Sequence, residues 1–133
     1  MSQENVRLSY EAADAFNRRD MDGFLALFHP DLEFTSRLRE MEGGGPYRGH
    51  DGIRSWWTDL LNFYPDFEAE IEEVRDLGHM TIARQRSRGR AVASEAPMEQ
   101  TIWQAVEWRD GKAIWWRTCP SEAAALEAVG LRE

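Results

Sequence analysis

Cysteine is almost absent from this 133-residue chain: Cys119 stands alone, so no internal disulfide can form, and no Cys/His set has zinc spacing. Nothing in the sequence calls for a metal or a cofactor, and a reducing compartment is expected. Long apolar runs are missing too. The longest extend only a few residues, against about 20 for a bilayer-spanning helix, and the opening MSQENVRLSY has no apolar signal core. The expectation is a cytoplasmic protein with no membrane partner. Basic residues are in deficit, 16 Lys and Arg against 24 Asp and Glu, for a formal charge of −8. Such a chain repels polyanions, which disfavours nucleic acid as a partner. Apolar material is plentiful, at 42% hydrophobic residues with six tryptophans. A chain of this length buries roughly two thirds of its unfolded surface around a single core, so residues 1–133 read as one domain.

Hydrophobic spacing sets the elements. Val6, Tyr10, Ala13 and Phe16, widened by Leu8 and Ala12, form an amphipathic helical stripe that Asn17-Arg18-Arg19 closes. Asp20 then stands as an N-cap for a short helix through Phe24, Leu25 and Phe28, ending at His29-Pro30. Period-two alternation over 32–38 predicts a strand with Leu32, Phe34, Ser36 and Leu38 on its inner face. Gly43-Gly44-Gly45-Pro46 marks a mobile connection. Ile53, Trp56, Trp57, Leu60, Leu61 and Tyr64 then recur at helical spacing up to Pro65.

Beyond Phe67 the pattern turns to strands: a stretch to Val74, a turn at Asp76-Leu77-Gly78, then 80–90, 98–109 and 112–119, the last two joined by the hairpin signal Asp110-Gly111. Pro120-Ser121 stops the last strand and caps an Ala-rich helix from Glu122 to Ala128, ended by Gly130. Helices segregated from strands give an α+β fold, expected as a cone: a curved antiparallel sheet wrapped around helices.

Alternation also assigns faces. Ile102, Gln104, Val106 and Trp108 fit a core better than their neighbours, and Ile114, Trp116 and Thr118 share a face on the last strand. On 80–90, burying Arg84, Arg86 and Arg88 unpaired would be prohibitive, so Thr81, Ala83, Gln85 and Ser87 point inward. The arginines read as a solvated face paired with Glu99 or Glu107. Gln104 and Gln85 are either ligand anchors or satisfied by each other and the backbone.

Three segments resemble the nuclear-transport-factor-2-like superfamily, and within it the SnoaL-like, polyketide-cyclase-like group. They are Tyr10 to Asn17 with Asp20 to Phe28, then Tyr47-Arg48-Gly49-His50-Asp51-Gly52-Ile53-Arg54, and finally Trp108 to Lys112. The resemblance implies a conical pocket lined by the first and third helices and the concave sheet face, and a homodimer through the outer sheet face. Met80, Ile82, Trp103 and Trp115 would make that outer face apolar. The implied pocket residues are Phe16, Phe34, Ser36, Trp57, Gln85, Gln104 and Trp116. The three acid–base groups of the ketosteroid isomerase relatives fall at Ala12, Ser36 and Gln104, so none is retained. The aspartate and histidine implied for SnoaL-type cyclisation have no counterpart on the inner strand faces, where His29, His50 and His79 all lie at element ends.

These residues together imply a small-molecule-binding protein with an aromatic-lined pocket for a small apolar molecule. Ser36 and Gln104 would hold a carbonyl there, and any catalysis would be isomerisation, cyclisation or dehydration of a cyclic or polyketide-like carbonyl compound. Glu40 and Glu42 in the glycine-rich loop read as solvated, or else as lid carboxylates that swing over the pocket and act as a base. The competing reading is a non-catalytic ligand-binding or dimerisation module of the same fold.

Overall fold

The computed structural model describes residues 2–132, the side chains of Ser2 and Leu38 excepted. Helix α1 (Ser2–Asn17) buries Leu8, Ala15 and Phe16, while Tyr10, expected on the core stripe, is exposed. The helix ends in a Schellman motif: Asp20 N–H reaches Ala15 O, Arg19 N–H reaches Phe16 O, and Arg19 itself is left-handed at φ 59°. An arginine is tolerated there because its guanidinium donates to the carbonyls of Phe16, Pro65 and Phe67 at 3.0, 3.2 and 2.7 Å. Asp20 caps α2 (Met21–Leu25) by accepting from Gly23 N–H at 2.9 Å. A Cβ at Gly23 would lie 2.3 Å from that carboxylate, so only glycine leaves the cap intact.

A six-stranded sheet runs in the order β2-β1-β6-β5-β4-β3. It comprises β1 (Phe28–Thr35), β2 (Tyr47–Arg48), β3 (Glu68–Asp76), β4 (Met80–Arg90), β5 (Pro97–Arg109) and β6 (Lys112–Cys119). Neighbours pair antiparallel with one exception, the parallel pairing of β1 with β6. The expectation of a wholly antiparallel sheet is corrected at that point. Three register shifts, in β1–β6, β3–β4 and β5–β6, bend the sheet. The Asp110-Gly111 turn has both residues at positive φ, 52° and 77°, as a tight hairpin with right-handed twist requires.

Strand β1 starts at Phe28, four residues before the expected Leu32, and Pro30 falls inside its shifted segment, where no ladder donor is needed. It also stops earlier than expected. Ser36 is the junction to a short helix, α3 (Arg37–Met41), whose first N–H donates to Thr118 Oγ1 at 2.8 Å. Leu38, expected on the strand's inner face, lies in that helix, and its side chain is outside the described residues. Helix α4 (Gly49–Phe63) begins where Gly49, at φ +63°, approaches the Pro30 carbonyl too closely for any Cβ.

Two apolar clusters lie on the two faces of the sheet. On the concave face α1 packs on β3 and β4, and α4 packs on β1 and β2, burying Phe16, Leu32, Phe34, Ile53, Trp57, Trp108 and Trp116. Val106 joins this cluster and Ile102 shares its face by alternation with Gln104, as expected. Ile114 does not. The β5–β6 shift places Ala113 opposite Trp108 and turns Ile114 into the second cluster, correcting its inward assignment. That second cluster joins Met80, Ile82, Ala105 and Trp115 to Ala125 and Val129 of α5 (Glu122–Arg132), which Ser121 caps through Ala124 N–H. The helix runs past the expected stop at Gly130. It covers part of the face from which a dimer was inferred: Met80 and Ile82 are wholly buried within one chain and Trp115 is buried too, while Trp103 stays half-buried.

Candidate functional site

The interior brings six of the seven expected pocket residues into one contact network. Phe16 meets Trp57 at 4.7 Å between ring centroids, and Phe34 stacks on Trp116 at 3.7 Å with an interplanar angle of 13°. Trp56 joins the two pairs, 5.5 Å from Phe16, 5.4 Å from Phe34 and 5.2 Å from Trp116. It is only half-buried, the one ring of this group that reaches toward solvent.

Against the aromatic wall runs a row of neutral polar groups. Trp116 Nε1 donates to Gln104 Oε1 at 2.5 Å, Gln104 Nε2 to Gln85 Oε1 at 3.1 Å, and Gln85 Nε2 to Ser87 Oγ at 3.0 Å. The direction is fixed at one end, because an indole N–H can only donate. Gln104 must therefore turn its carbonyl to Trp116 and its amide to Gln85, and the same orientation passes along to Ser87. A parallel pair, Trp108 Nε1 donating to Thr81 Oγ1 at 2.9 Å, closes the next stretch of the face. The glutamines thus satisfy each other, yet each carboxamide has two N–H donors and uses one, so each keeps a donor for a further acceptor.

Charge is kept out of this interior. The buried polar side chains described are Ser9, Thr81, Gln85, Ser87 and Gln104, and no carboxylate, imidazole, ammonium or guanidinium is among the buried residues. Among the described residues no group of three or more His, Cys, Asp or Glu could hold a metal ion, and no helix is long and apolar enough to cross a membrane.

Ser36, the seventh residue, is half-buried at the strand–helix junction. Its carbonyl accepts the Glu40 N–H that starts α3, and its side chain joins none of the interior bonds. Glu40 is drawn the other way: Arg117 Nη2 donates to its carboxylate at 2.8 Å outside the cone. The histidines stay at element ends. His50 Nε2 donates to Phe28 O at 2.8 Å beside an open depression of about 490 Å³, and His29 Nδ1 accepts from Asp31 N–H.

A family model for the SnoaL-like domain matches residues 9–116. The chain belongs to the SnoaL-like domain family. Solved structures with the same fold include TerC crystallised with polyporic acid, at 20% identity and a TM-score of 0.78, with 96% of this chain and 98% of that one covered. An NTF2-like protein of unknown function from Burkholderia pseudomallei matches at 22% identity and a TM-score of 0.79, covering 96% of both chains. IdmH, a candidate polyketide cyclase from Streptomyces antibioticus, matches at 22% identity and a TM-score of 0.76, with 94% and 97% covered. No curated protein sequence matches the chain.

Within this SnoaL-like chain, sequence reasoning missed Trp56, Phe24 and Ser87 as members of the site. Phe24 links the wall rings, lying 5.2 Å from Trp57 and 4.7 Å from Phe28. Trp56 was legible only as a member of the helical stripe, and its neighbour Trp57 carried the same signal. The paired arginines of β4 resolve as expected into a charge ladder, but chiefly with β3: Arg84 and Arg86 reach Glu72 at 3.4 and 3.1 Å, and Arg86 also reaches Glu99. Glu107 instead takes Arg109 and Arg132.

Proposed function

We propose that this SnoaL-like protein binds a flat, apolar carbonyl compound in the cone, its ring against Trp116 and Phe34 and its oxygen on the free N–H groups of Gln104 and Gln85. The observation that carries the reading is the directed row from Trp116 to Ser87: two amides held rigid by their neighbours, each with one donor left, in a dry aromatic surrounding. Preorganised neutral donors of this kind hold a carbonyl oxygen without paying to reorganise. The ligand enters where Trp56 sits, displacing the one half-buried ring. TerC, crystallised with polyporic acid, and IdmH, a candidate polyketide cyclase, support a small cyclic ligand of this class.

The role is binding and orientation. Isomerisation or cyclisation requires a base to take a proton, and no carboxylate, imidazole, ammonium or guanidinium is among the buried side chains described. Titration of the protein with 9-fluorenone and with fluorene, which lacks the carbonyl, tests the reading by tryptophan quenching. Fluorenone should bind more tightly, and Gln85→Leu should narrow the gap by about 0.5–1.5 kcal/mol, the net worth of one neutral hydrogen bond. Equal responses of both compounds to the substitution would assign the amides to packing alone.

A further inference from the structure

Three side chains from one apolar stripe of α4 enter the interior cluster, and they are held unequally. Ile53 and Trp57 are buried, at 0% and 8% exposure, and fix the helix on β1 and β2, whereas Trp56 is half-buried. Its ring nevertheless lies among the wall residues. It stands nearly perpendicular to both members of the stacked pair, at 88° to Phe34 and 75° to Trp116, and within 19° of parallel to Phe24 at 6.0 Å.

The indole nitrogens differ in the same way. Trp116 and Trp108 each anchor their N–H on a buried side-chain oxygen. Trp56 Nε1 has no hydrogen-bond partner among the described residues, and no buried side-chain nitrogen or oxygen of those residues is left without one, so the Trp56 N–H faces water. Turning this ring outward breaks no hydrogen bond. It gives up ring contacts alone, and an apolar molecule that takes the vacated space restores contacts of that kind.

We infer that Trp56 is a built-in plug: in the free protein its ring holds the place of the ligand, and the cone fills only from a minor state in which this one side chain has swung out from a fixed helix. The inference rests on the cone being the carbonyl-compound site for what enters, while the swing itself belongs to the free protein. A ligand then competes with the protein's own side chain, and the apparent affinity is the intrinsic one scaled by the open fraction. With about 1–10% of molecules open, removing the plug tightens binding about 10- to 100-fold. The whole gain lies in association, because the ring is already out of the way in the complex. The carbonyl plays no part, so fluorene and 9-fluorenone gain alike, which separates Trp56 from the two glutamines.

Stopped-flow tryptophan quenching with the two compounds tests this on the wild type, Trp56→Ala and Trp56→Phe. Trp56→Ala should raise the association rate of both at least tenfold and leave dissociation unchanged. Trp56→Phe, which keeps a smaller ring in the cluster, should show the same effect at reduced size. Weaker binding of both compounds to the variants, or a gain confined to dissociation, would make Trp56 a wall residue and overturn the proposal. A second measurement needs no ligand. Opening exposes the Trp116 indole N–H to water, so both variants should speed its hydrogen exchange at least tenfold relative to the Trp108 indole, which is bonded to Thr81 further along the face. Equal acceleration at the two indoles, or none at Trp116, would also overturn the plug. If exchange at Trp116 responds and neither compound binds any form, the plug stands and the carbonyl-compound reading fails. If both compounds bind and association is unmoved, the reading stands and the plug fails.

Discussion

Replacing Gln104 with leucine removes the middle of the interior row at nearly constant volume. Its carbonyl is the acceptor for Trp116 Nε1 and its amide the donor to Gln85 Oε1, so the substitution orphans one buried donor and one buried acceptor. Trp116 and Gln85 are 7% exposed, which leaves little water to replace the lost partners. An orphaned buried group costs about 1–3 kcal/mol, and the apolar leucine recovers part of the sum, so a net loss of about 2–4 kcal/mol is expected. Against a total stability of about 5–15 kcal/mol that is a large share. In urea, with a slope of about 2 kcal/mol per M, the midpoint should fall by about 1–2 M. The cycle with Trp116→Phe isolates the bond: once the indole N–H is gone, Gln104→Leu should cost about 1–2 kcal/mol less. A single-variant loss below about 0.5 kcal/mol, or strict additivity in the cycle, would refute the claim that the row is energetically coupled.

Arg19 separates backbone strain from hydrogen bonding: Arg19→Gly keeps the left-handed cap and loses the three carbonyl contacts, whereas Arg19→Ala loses both, so thermal unfolding should rank glycine above alanine by about 1 kcal/mol. Asn17 substitutes for a strand neighbour by donating to Ala69 O at 2.8 Å and accepting from Ala69 N–H at 3.0 Å; Asn17→Ala should cost about 1–2 kcal/mol and speed hydrogen exchange at the Ala69 amide. Burial pushes the Cys119 thiol above its ordinary 9.0, with Glu40 adding to the rise and Arg117 opposing it. The folded state then holds the thiol proton more tightly than the unfolded chain, so this contribution to stability is complete below pH 9 and declines as pH rises past it. Cys119→Ala should remove that decline from the stability profile, and native Cys119 should alkylate more slowly than the unfolded chain's thiol at about pH 8.

What the sequence made legible is what local chemistry encodes. The Asp20 and Ser121 caps, the Asp110-Gly111 turn and the inward row of Thr81, Ala83, Gln85 and Ser87 each come from a side chain acting on its own neighbourhood. Strand direction is not of that kind. Alternation in β1 is the same whether β6 runs with it or against it, so the parallel pairing left no trace in the pattern. Ile114 was misplaced because one extra residue in β6 reverses the faces of everything before it, and nothing in Lys112 to Trp116 marks the shift. The outer face read as more open than it is because the short Ala-rich helix after Ser121 gave no sign of where it would lie; it folds back on Met80 and Ile82. Ser36 looked inward on a strand assumed to continue, and the turn into α3 takes it out of that row.

In the proposed complex the free N–H groups of Gln104 and Gln85 receive a carbonyl oxygen inside the aromatic cone. The most direct measurement is ¹H–¹⁵N NMR of the side-chain amides and indole N–H groups during titration with 9-fluorenone, with fluorene as the matched control. Both compounds should move the Trp116 and Trp56 indole signals through ring currents, and only fluorenone should shift the Gln104 and Gln85 amide protons downfield as they gain an acceptor. If fluorenone leaves both amide pairs where fluorene leaves them, or moves no interior signal at all, the account of the site is wrong.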